Sequence, residues 1–300
     1  MEDRRRAEER RHREVIDVHT HCFTGRHLTA EVLRKAAELR AEGVRHLATI
    51  AVVNPDLPME DAWGIVAGVP EHRGDPALRE AEDLFAIAAA AAAEGTELIP
   101  FNDTRVIAGE VSEYLTRRLA EGFRGLKGMY LPDTENDIGA VAVPQVFGLS
   151  LEEYRRREWA IFAFAERHDL PVIYHVDARR HRAVIEAMLA DFPRVRFDFA
   201  HFGIGRRALA PLLERHENAF TDFSSILDHM RGNRDGYRDF IVEHQDRVCF
   251  GSDAFLYSLE KVVEYVRLVE ELGLPEEVEE KVFSTNPRRF LGPALADRGA

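Results

Sequence analysis

Histidine and aspartate side chains cluster at the end of an apolar run near the N-terminus of this 300-residue chain, and these residue types can bind a divalent metal. His19 and His21 end the run VIDVHTH at residues 15–21. Because side chains alternate along a strand, Asp17, His19 and His21 are expected to share one face. That face must be a polar site, since burying polar groups without partners is costly.

Further residues of the same types end later apolar runs. His175 lies in PVIYHVD, His201 in FDFAHFG and Asp253 in VCFGSDA, while Lys127 lies within FRGLKGMY. Imidazoles together with a carboxylate are a natural ligand set for a borderline divalent ion, Zn²⁺ first. Such an ion lowers the pKa of a coordinated water toward neutrality. A nearby carboxylate can then accept the proton, and a further imidazole can polarise a substrate carbonyl.

Short apolar runs alternate along the chain with stretches of helical periodicity. We interpret eight runs as strands, at residues 15–21, 46–54, 97–103, 123–130, 171–177, 195–203, 219–225 and 248–254. This alternation favours an α/β fold of the (β/α)8 TIM-barrel type, although an open sheet shares the pattern. In a barrel the carboxyl ends of the strands converge on one mouth, so the polar residues above would meet there.

Two long connections follow predicted strands. Residues 131–150 and 54–76 both lie on the side where barrel enzymes carry their active sites. We expect a lid or a subunit contact from 131–150, with an ordinary surface loop as the alternative.

Composition and charge limit the class of protein. The net charge of −13 argues against nucleic-acid binding, which requires clustered Lys and Arg. Cys22 and Cys249 provide no disulfide framework, which fits a reducing cytoplasm, and the apolar runs are too short to cross a membrane. We expect a charged tail at residues 1–14 and a single domain at 15–300.

The ordered motifs resemble the amidohydrolase superfamily, and most of all its amidohydrolase-2 branch, which includes relatives of aminocarboxymuconate-semialdehyde decarboxylase. They extend from Val15 to Gly292 and are VIDVHTH, GFRGLKGMYLP, PVIYHVD, FAHFG, VCFGSDA and STNPRRFLG. The resemblance implies a metal site at the carboxyl ends of the barrel strands. It also implies a small-molecule substrate and a homodimer.

The resemblance also implies roles for individual residues. Asp253 would be both a metal ligand and the proton acceptor, and His201 would contact the substrate or the metal-bound water. The implied ligand set is His19, His21, His175 and Asp253. The expected cofactor is one divalent metal, zinc before manganese or iron.

Lys127 leaves the number of metals open. In binuclear amidohydrolases a lysine at the end of the fourth strand is carboxylated and bridges two ions, and His175 and His201 would then bind the second. Members of the amidohydrolase-2 branch often carry a similar lysine without that role. We expect one metal, with Lys127 facing inward and paired with Asp17 or Asp103.

Two reactions fit this set of residues. The first is metal-dependent hydrolysis of a small-molecule amide, lactone or ester, and the second is non-oxidative decarboxylation of an aromatic or unsaturated acid. Decarboxylase relatives commonly continue the fifth-strand histidine with proline and an aromatic residue, whereas Val176 follows His175 here, which favours hydrolysis. A barrel that binds a ligand without catalysis is a third reading, which the complete ligand set disfavours.

Four residues are candidates for substrate binding. Arg179 could pair with a substrate carboxylate, or it could be a solvated charge at the start of a helix. Asn54, Asp103 and Tyr130 end predicted strands, where they could touch substrate or satisfy loop backbone groups.

Overall fold

The computed structural model describes residues 13–22, 29–52, 80–107 and 109–295. The strands are β1 Val15–His21, β2 Val44–Ala51, β3 Glu97–Asp103, β4 Gly125–Met129, β5 Val172–His175, β6 Phe197–Phe199, β7 Ala219–Asp222, β8 Val248–Cys249 and β9 Ala254–Phe255. Every predicted run overlaps one of these strands, and β2 begins two residues before its predicted run. The prediction for residues 54–76 lies outside the described residues.

Helices follow most of the strands. They are α1 Thr29–Ala41, α2 Glu80–Ala93, α3 Val111–Glu121, α4 Val143–Phe147, α5 Leu151–Arg167, α6 Ala178–Asp191, the single turn α7 Ala200–Gly203, α8 Arg206–Arg215, α9 Leu227–Gly232, α10 Arg234–Glu243, α11 Glu260–Leu272, α12 Glu276–Glu280 and α13 Asn286–Leu291. A π-helical segment occupies Lys281–Thr285, and 3₁₀ turns occupy Leu256–Ser258 and Gly292–Leu295. Within the described residues, no helix is both long and apolar enough to cross a bilayer.

All the strands are parallel and follow the order β8-β7-β6-β5-β4-β3-β2-β1-β9. β8 and β9 are two parts of one interrupted strand, which pairs with β7 through its first part and with β1 through its second. Between them, Val18 N donates to Phe250 O at 3.0 Å and Asp253 N donates to His19 O at 2.8 Å. The sheet therefore curls into the α/β TIM barrel that the alternating pattern predicts.

The apolar core has two parts. The larger cluster fills the space between the sheet and the surrounding helices. The smaller one joins strand residues such as Ile16, Phe101 and Phe220 to Phe290 and Leu291 of α13. Packing inside the barrel is tight, because a Cβ built on Gly125 would lie 2.3 Å from the Phe101 ring. The barrel interior is thus filled beneath the mouth, which leaves the carboxyl ends of the strands for a site.

Local signals at the helix ends agree with the sequence. Ser150 caps α5 in a capping box with Glu153, and Gly273 ends α11 in the left-handed conformation. The tail prediction for residues 1–14 falls mostly outside the described residues. Arg13, the first described residue, pairs with Glu279 at 2.8 Å and with Glu270 at 3.0 Å.

Candidate metal centre

Three of the predicted ligands meet at the barrel mouth. His19 and His21 lie at the end of β1, and Asp253 lies where the eighth strand is interrupted. Oδ1 of Asp253 is 2.9 Å from Nε2 of His21 and 3.4 Å from Nε2 of His19. Asp253 takes a positive φ of 57°, a conformation that costs a non-glycine residue energy and that is often found at functional sites. Two imidazole nitrogens and a carboxylate oxygen thus converge on one point.

Asp222, at the end of β7, fixes the orientation of His19. The Nδ1–H of His19 donates to Oδ2 of Asp222 at 2.8 Å, so the lone pair of Nε2 faces the mouth. A carboxylate in this position sets the tautomer of a metal-binding histidine. Burial is the main reason that the pKa of His19 falls to about 3, with the Lys127 charge adding to it, so the ring is neutral and able to bind a metal.

The network around Asp222 also positions His201. His201 donates its backbone N–H to Oδ1 of Asp222 at 2.8 Å and its Nδ1–H to Ser224 O at 2.8 Å. Residues His201 to Ile204 all have positive φ and form a left-handed turn, which is strained for side-chain-bearing residues. His19, His201 and Asp222 also lie close enough to form a ligand group, but their facing atoms are already hydrogen-bonded to each other or to Ser224.

The surroundings of Asp253 and Asp222 keep both of these carboxylates ionised. Burial alone would raise the pKa of Asp253, but His19 and the hydrogen bond from His21 hold that pKa well below its usual range. The pKa of Asp222 is likewise lowered despite burial, because its carboxylate accepts hydrogen bonds from the side chains of His19 and Ser224. Both groups are therefore ionised and available as acceptors at neutral pH.

Lys127 faces the site from β4, as expected, but its predicted partners are wrong. Its Nζ lies 3.3 Å from Nε2 of His19. Asp103 instead pairs with Arg105, whose Nε is 3.0 Å from Oδ1 of Asp103. Burial lowers the pKa of Lys127, although the Asp253 and Asp222 charges oppose that shift. Lys127 is therefore a buried amine beside the candidate ligands.

The expectation that Asp17 shares the face of the two histidines is also wrong. The pairing of β1 with β2 shifts register between Asp17 and Thr20, which breaks the simple alternation. The carboxylate of Asp17 accepts hydrogen bonds from N and Oγ of Ser252, at 3.1 and 2.6 Å. Asp17 thus anchors the interrupted eighth strand beside His19, and does not line the cavity.

His175, the fourth predicted ligand, lies at the end of β5 but outside the three-residue group. Its Nε2 is 3.0 Å from Oδ1 of Asp137, which belongs to the connection after β4. Its ring centre is 5.2 Å from that of His201. Burial lowers the pKa of His175 to about 4, so the ring is neutral.

The candidate substrate residues are scattered. Arg179 lines the rim of the cavity but is paired with Asp177 at 2.7 Å and is 59% exposed. Tyr130 packs between Tyr154 and His181 and lines a separate small cavity. Asp103, paired as described above, lies outside the cavity lining, and Asn54 lies outside the described residues. Of the three candidates that the structure describes, Arg179 alone lines the large cavity, and the prediction for Asn54 stays a prediction.

A cavity of about 910 Å³ opens over the candidate ligands. Arg206 and Lys261 line its wall, held over the rings of Tyr237 at 4.0 Å and Phe255 at 5.6 Å. Within the part of the chain that the structure describes, neither has a carboxylate within 4 Å. The wall is thus cationic although the whole chain carries a net charge of −13.

Sequence reasoning missed Asp137, Asp222 and Ser224. Asp222 gives a weak signal, because an acidic residue ends the apolar run AFTDFSS just as Asp253 ends its own run. Asp137 lies in an irregular loop with no periodicity, so no local pattern indicates its role.

The sequence and the fold both match known proteins. The amidohydrolase family model matches residues 16–292. A candidate 2-pyrone-4,6-dicarboxylic acid hydrolase from Pseudomonas putida shares the fold with a TM-score of 0.61, at 15% identity over 95% of this chain and 100% of that chain. A probable hydrolase of the same name from Acinetobacter baumannii gives a TM-score of 0.58, at 12% identity over 93% and 99%. IDCase from Metarhizium anisopliae gives 0.51, at 13% identity over 93% and 97%.

No curated protein sequence matches this chain. At such low identities, the solved structures bear on the fold alone. The family match, in contrast, spans every segment that contributes to the site, from His19 to Asp253. The chain therefore belongs to the amidohydrolase family, whose members are typically metal-dependent enzymes.

Proposed function

We propose that this protein is a metal-dependent hydrolase that cleaves a small-molecule amide, lactone or ester. The observation that carries the proposal is the convergence of His19 Nε2, His21 Nε2 and Asp253 Oδ1 beneath an open cavity. Two neutral imidazoles and one carboxylate suit Zn²⁺ better than Mg²⁺ or Ca²⁺, which prefer oxygen ligands. A divalent ion bound there would supply Lewis acidity toward a carbonyl and hydroxide at neutral pH.

The chain's own residues would then perform the proton transfers. Asp253 is ionised and lies at the centre of the group, so it is the proposed acceptor of the proton from the attacking water. His201 donates through Nδ1 to Ser224 O, which leaves its Nε2 as the side of the ring that can reach the substrate. The strained turn that carries His201 would keep the ring in place.

The cationic wall supports an acidic substrate. Arg206 and Lys261 can each donate to a carboxylate, and the aromatic rings beneath them restrict where their charges lie. The same feature supports the second candidate function, decarboxylation of an unsaturated or aromatic acid. Assays should therefore measure both hydrolysis of carboxylate-bearing esters, lactones and amides, and release of carbon dioxide.

Metal content per chain is the first measurement. Purified wild type, Lys127→Ala and the control Lys35→Ala, whose lysine pairs with Glu38 and Glu260 and does not line the cavity, should be compared by elemental analysis. About one equivalent in all three supports a mononuclear site. About two equivalents in wild type that fall only in Lys127→Ala would support a carboxylated lysine bridging two ions. Absence of bound metal after growth and reconstitution with zinc and manganese would contradict the proposed function.

A further inference from the structure

Asp198 is a buried carboxyl group that the proposed reaction does not use. It lies in the middle of β6, between Phe197 and Phe199, whose side chains pack in the outer part of the core. Because side chains alternate along a strand, Asp198 points into the barrel interior. The residue is 0% exposed. A carboxyl in such a place needs a hydrogen-bond partner or loses its charge.

The hydrogen-bonding neighbour of Asp198 is another carboxyl. Within the described residues, no N–H or O–H donor reaches either of its oxygens. Its side chain is instead within hydrogen-bonding range of Asp222, which ends the adjacent strand β7. Two other titratable groups of the described chain face it, Lys127 from β4 and Cys249 from β8, and neither is hydrogen-bonded to it.

Two neighbouring carboxyls form a hydrogen bond only when they share a proton. An ionised carboxylate only accepts hydrogen bonds, so two ionised groups side by side in the barrel would repel each other. One proton removes this repulsion, because the protonated group becomes a donor to the other. The pair of Asp198 and Asp222 should therefore carry a single negative charge.

The other hydrogen bonds of Asp222 decide which of the two keeps the charge. Its Oδ1 accepts from His201 N and from N and Oγ of Ser224. Its Oδ2 accepts from Nδ1 of His19 at 2.8 Å. Despite burial, these donors lower the pKa of Asp222. Burial and the adjacent Asp222 charge raise the pKa of Asp198 well above its usual range, so the proton belongs to Asp198.

We propose that Asp198 is a protonated carboxylic acid that donates a hydrogen bond to Asp222 and thereby acts as a positioning residue for His19. Oδ1 of Asp222 already accepts three bonds, so the free acceptor position is on Oδ2, the oxygen that holds the His19 ring. A second bond on Oδ2 fixes how this oxygen faces the imidazole. The positioning role rests on the metal-dependent function proposed above, whereas the shared proton does not.

Carbon-13 NMR of protein labelled at its aspartate carboxyl groups tests the proton directly. One resonance should be lost in Asp198→Asn, and in wild type this resonance should keep the chemical shift of a protonated acid from pH 5 to pH 8. Asp198→Ser, which offers a smaller neutral donor, assigns the same resonance if the asparagine variant does not fold. A carboxylate chemical shift for that resonance at pH 7 would overturn the proposal.

The pH dependence of unfolding is an independent measurement. Because folding raises the pKa of Asp198, its contribution to stability is fully present below the ordinary value of 3.8 and is lost as the pH rises toward the folded pKa. Asp198→Asn has no carboxyl to ionise. The unfolding constant of wild type relative to this variant should therefore rise by up to about tenfold per pH unit between pH 5 and pH 7.

A matched control separates this effect from the loss of any aspartate. The side chain of Asp228 is 96% exposed, so Asp228→Asn should follow the pH profile of wild type. A constant ratio between the unfolding constants of wild type and Asp198→Asn would contradict a protonated Asp198.

Zinc affinity, measured by competition with a chromophoric chelator, tests the positioning role. Asp198→Asn keeps a neutral donor and should bind zinc within about threefold of wild type, whereas Asp198→Leu fills a similar space without a donor and should bind about tenfold more weakly. Equal affinities of the two variants would overturn the positioning role. If wild type itself binds no zinc, the proposed function fails, while the NMR and unfolding measurements still decide whether Asp198 holds the proton.

Discussion

Two histidines of the site each face a carboxylate, but the two pairs are held very differently. Asp222 lies inside the barrel and accepts hydrogen bonds from His19 Nδ1, His201 N, Ser224 N and Ser224 Oγ. Asp137 lies on a loop, has a side chain that is 30% exposed, and reaches His175 through one oxygen.

The difference separates a fixed part of the site from an adjustable part. Asp222 cannot move without breaking several buried hydrogen bonds at once, so the orientation of His19 is determined by the barrel. The bond between Asp137 and His175 can break while the barrel stays intact. The barrel therefore fixes the orientation of His19, whereas the orientation of His175 depends in part on a loop.

Asp222→Asn should have the largest effect. An asparagine at this position carries an NH₂ group, which is itself a donor. That group would face at least one of the donors whose hydrogen bonds Asp222 now accepts. Stability should fall by about 1.5–3 kcal/mol, the usual contribution of a buried hydrogen bond to a charged group, and zinc affinity should fall ~10–100-fold. Urea unfolding and chelator competition measure the two quantities. Asp137→Asn is the matched control. Equal losses of stability and of zinc affinity in the two variants would contradict the distinction between the two carboxylates.

Glu158→Gln should change how the free energy of unfolding depends on pH. Glu158 lies in α5 and bonds to Tyr174, the residue before His175. Burial raises the pKa of Glu158 from 4.5 to about 7, and Tyr174 Oη donates to it at 2.6 Å. Because the folded pKa is the higher one, this group's contribution is fully present below pH 4.5 and is lost as the pH rises through about 7. By pH 8 the loss should approach ~3 kcal/mol at about 1.4 kcal/mol per pKa unit.

The glutamine variant has no carboxyl to ionise, so its unfolding free energy should decline less between pH 5 and pH 8. Glu152→Gln, on the exposed face of the same helix, is the control and should follow wild type. Parallel pH profiles for wild type and Glu158→Gln would contradict a neutral Glu158 in the folded protein.

Hydrogen exchange of backbone amides should distinguish the two regions directly. The amides of His201 and Ser224, which donate to Asp222, should be protected nearly to the level of global unfolding. The amides of Glu135 and Ala140, which donate to side chains of the loop, should exchange at least about tenfold faster. Equal protection would mean that the loop is as rigid as the barrel, which would contradict the distinction drawn between the two regions.

Arg180→Ala should have the smallest effect. It removes the exposed pairs with Asp133 and Glu135, which should cost less than about 1 kcal/mol of stability. Exchange of the loop amides should increase while the amides around Asp222 stay unchanged. Protection that is lost in both regions would show that the loop and the barrel open together.

Much of the fold could be predicted from local patterns in the sequence. The alternation of strands and helices predicted the barrel. Polar residues at strand ends also identified His19, His21 and Asp253, because the carboxyl ends of parallel strands meet. These features depend on residue type and spacing, which the sequence states directly.

The hydrogen-bond partners of those residues could not be predicted from the sequence. Asp17 was assigned to the wrong face because the register of β1 shifts, and a shift is invisible to a period-two pattern. Lys127 was expected to pair with Asp17 or Asp103, but its Nζ lies 3.3 Å from Nε2 of His19, because Asp17 bonds to Ser252 and Asp103 to Arg105. The role of Asp137 depends on a loop whose shape comes from the bonds of Asn136 and Tyr154.

The sequence by itself determined which side chains reach the barrel mouth and which family the chain resembles, because strand periodicity and motif order are local properties. The tertiary structure decided which nitrogen of each histidine is available, because that depends on carboxylates brought from distant parts of the chain. His19 presents Nε2 because Asp222 holds its Nδ1, whereas Asp137 holds the Nε2 of His175.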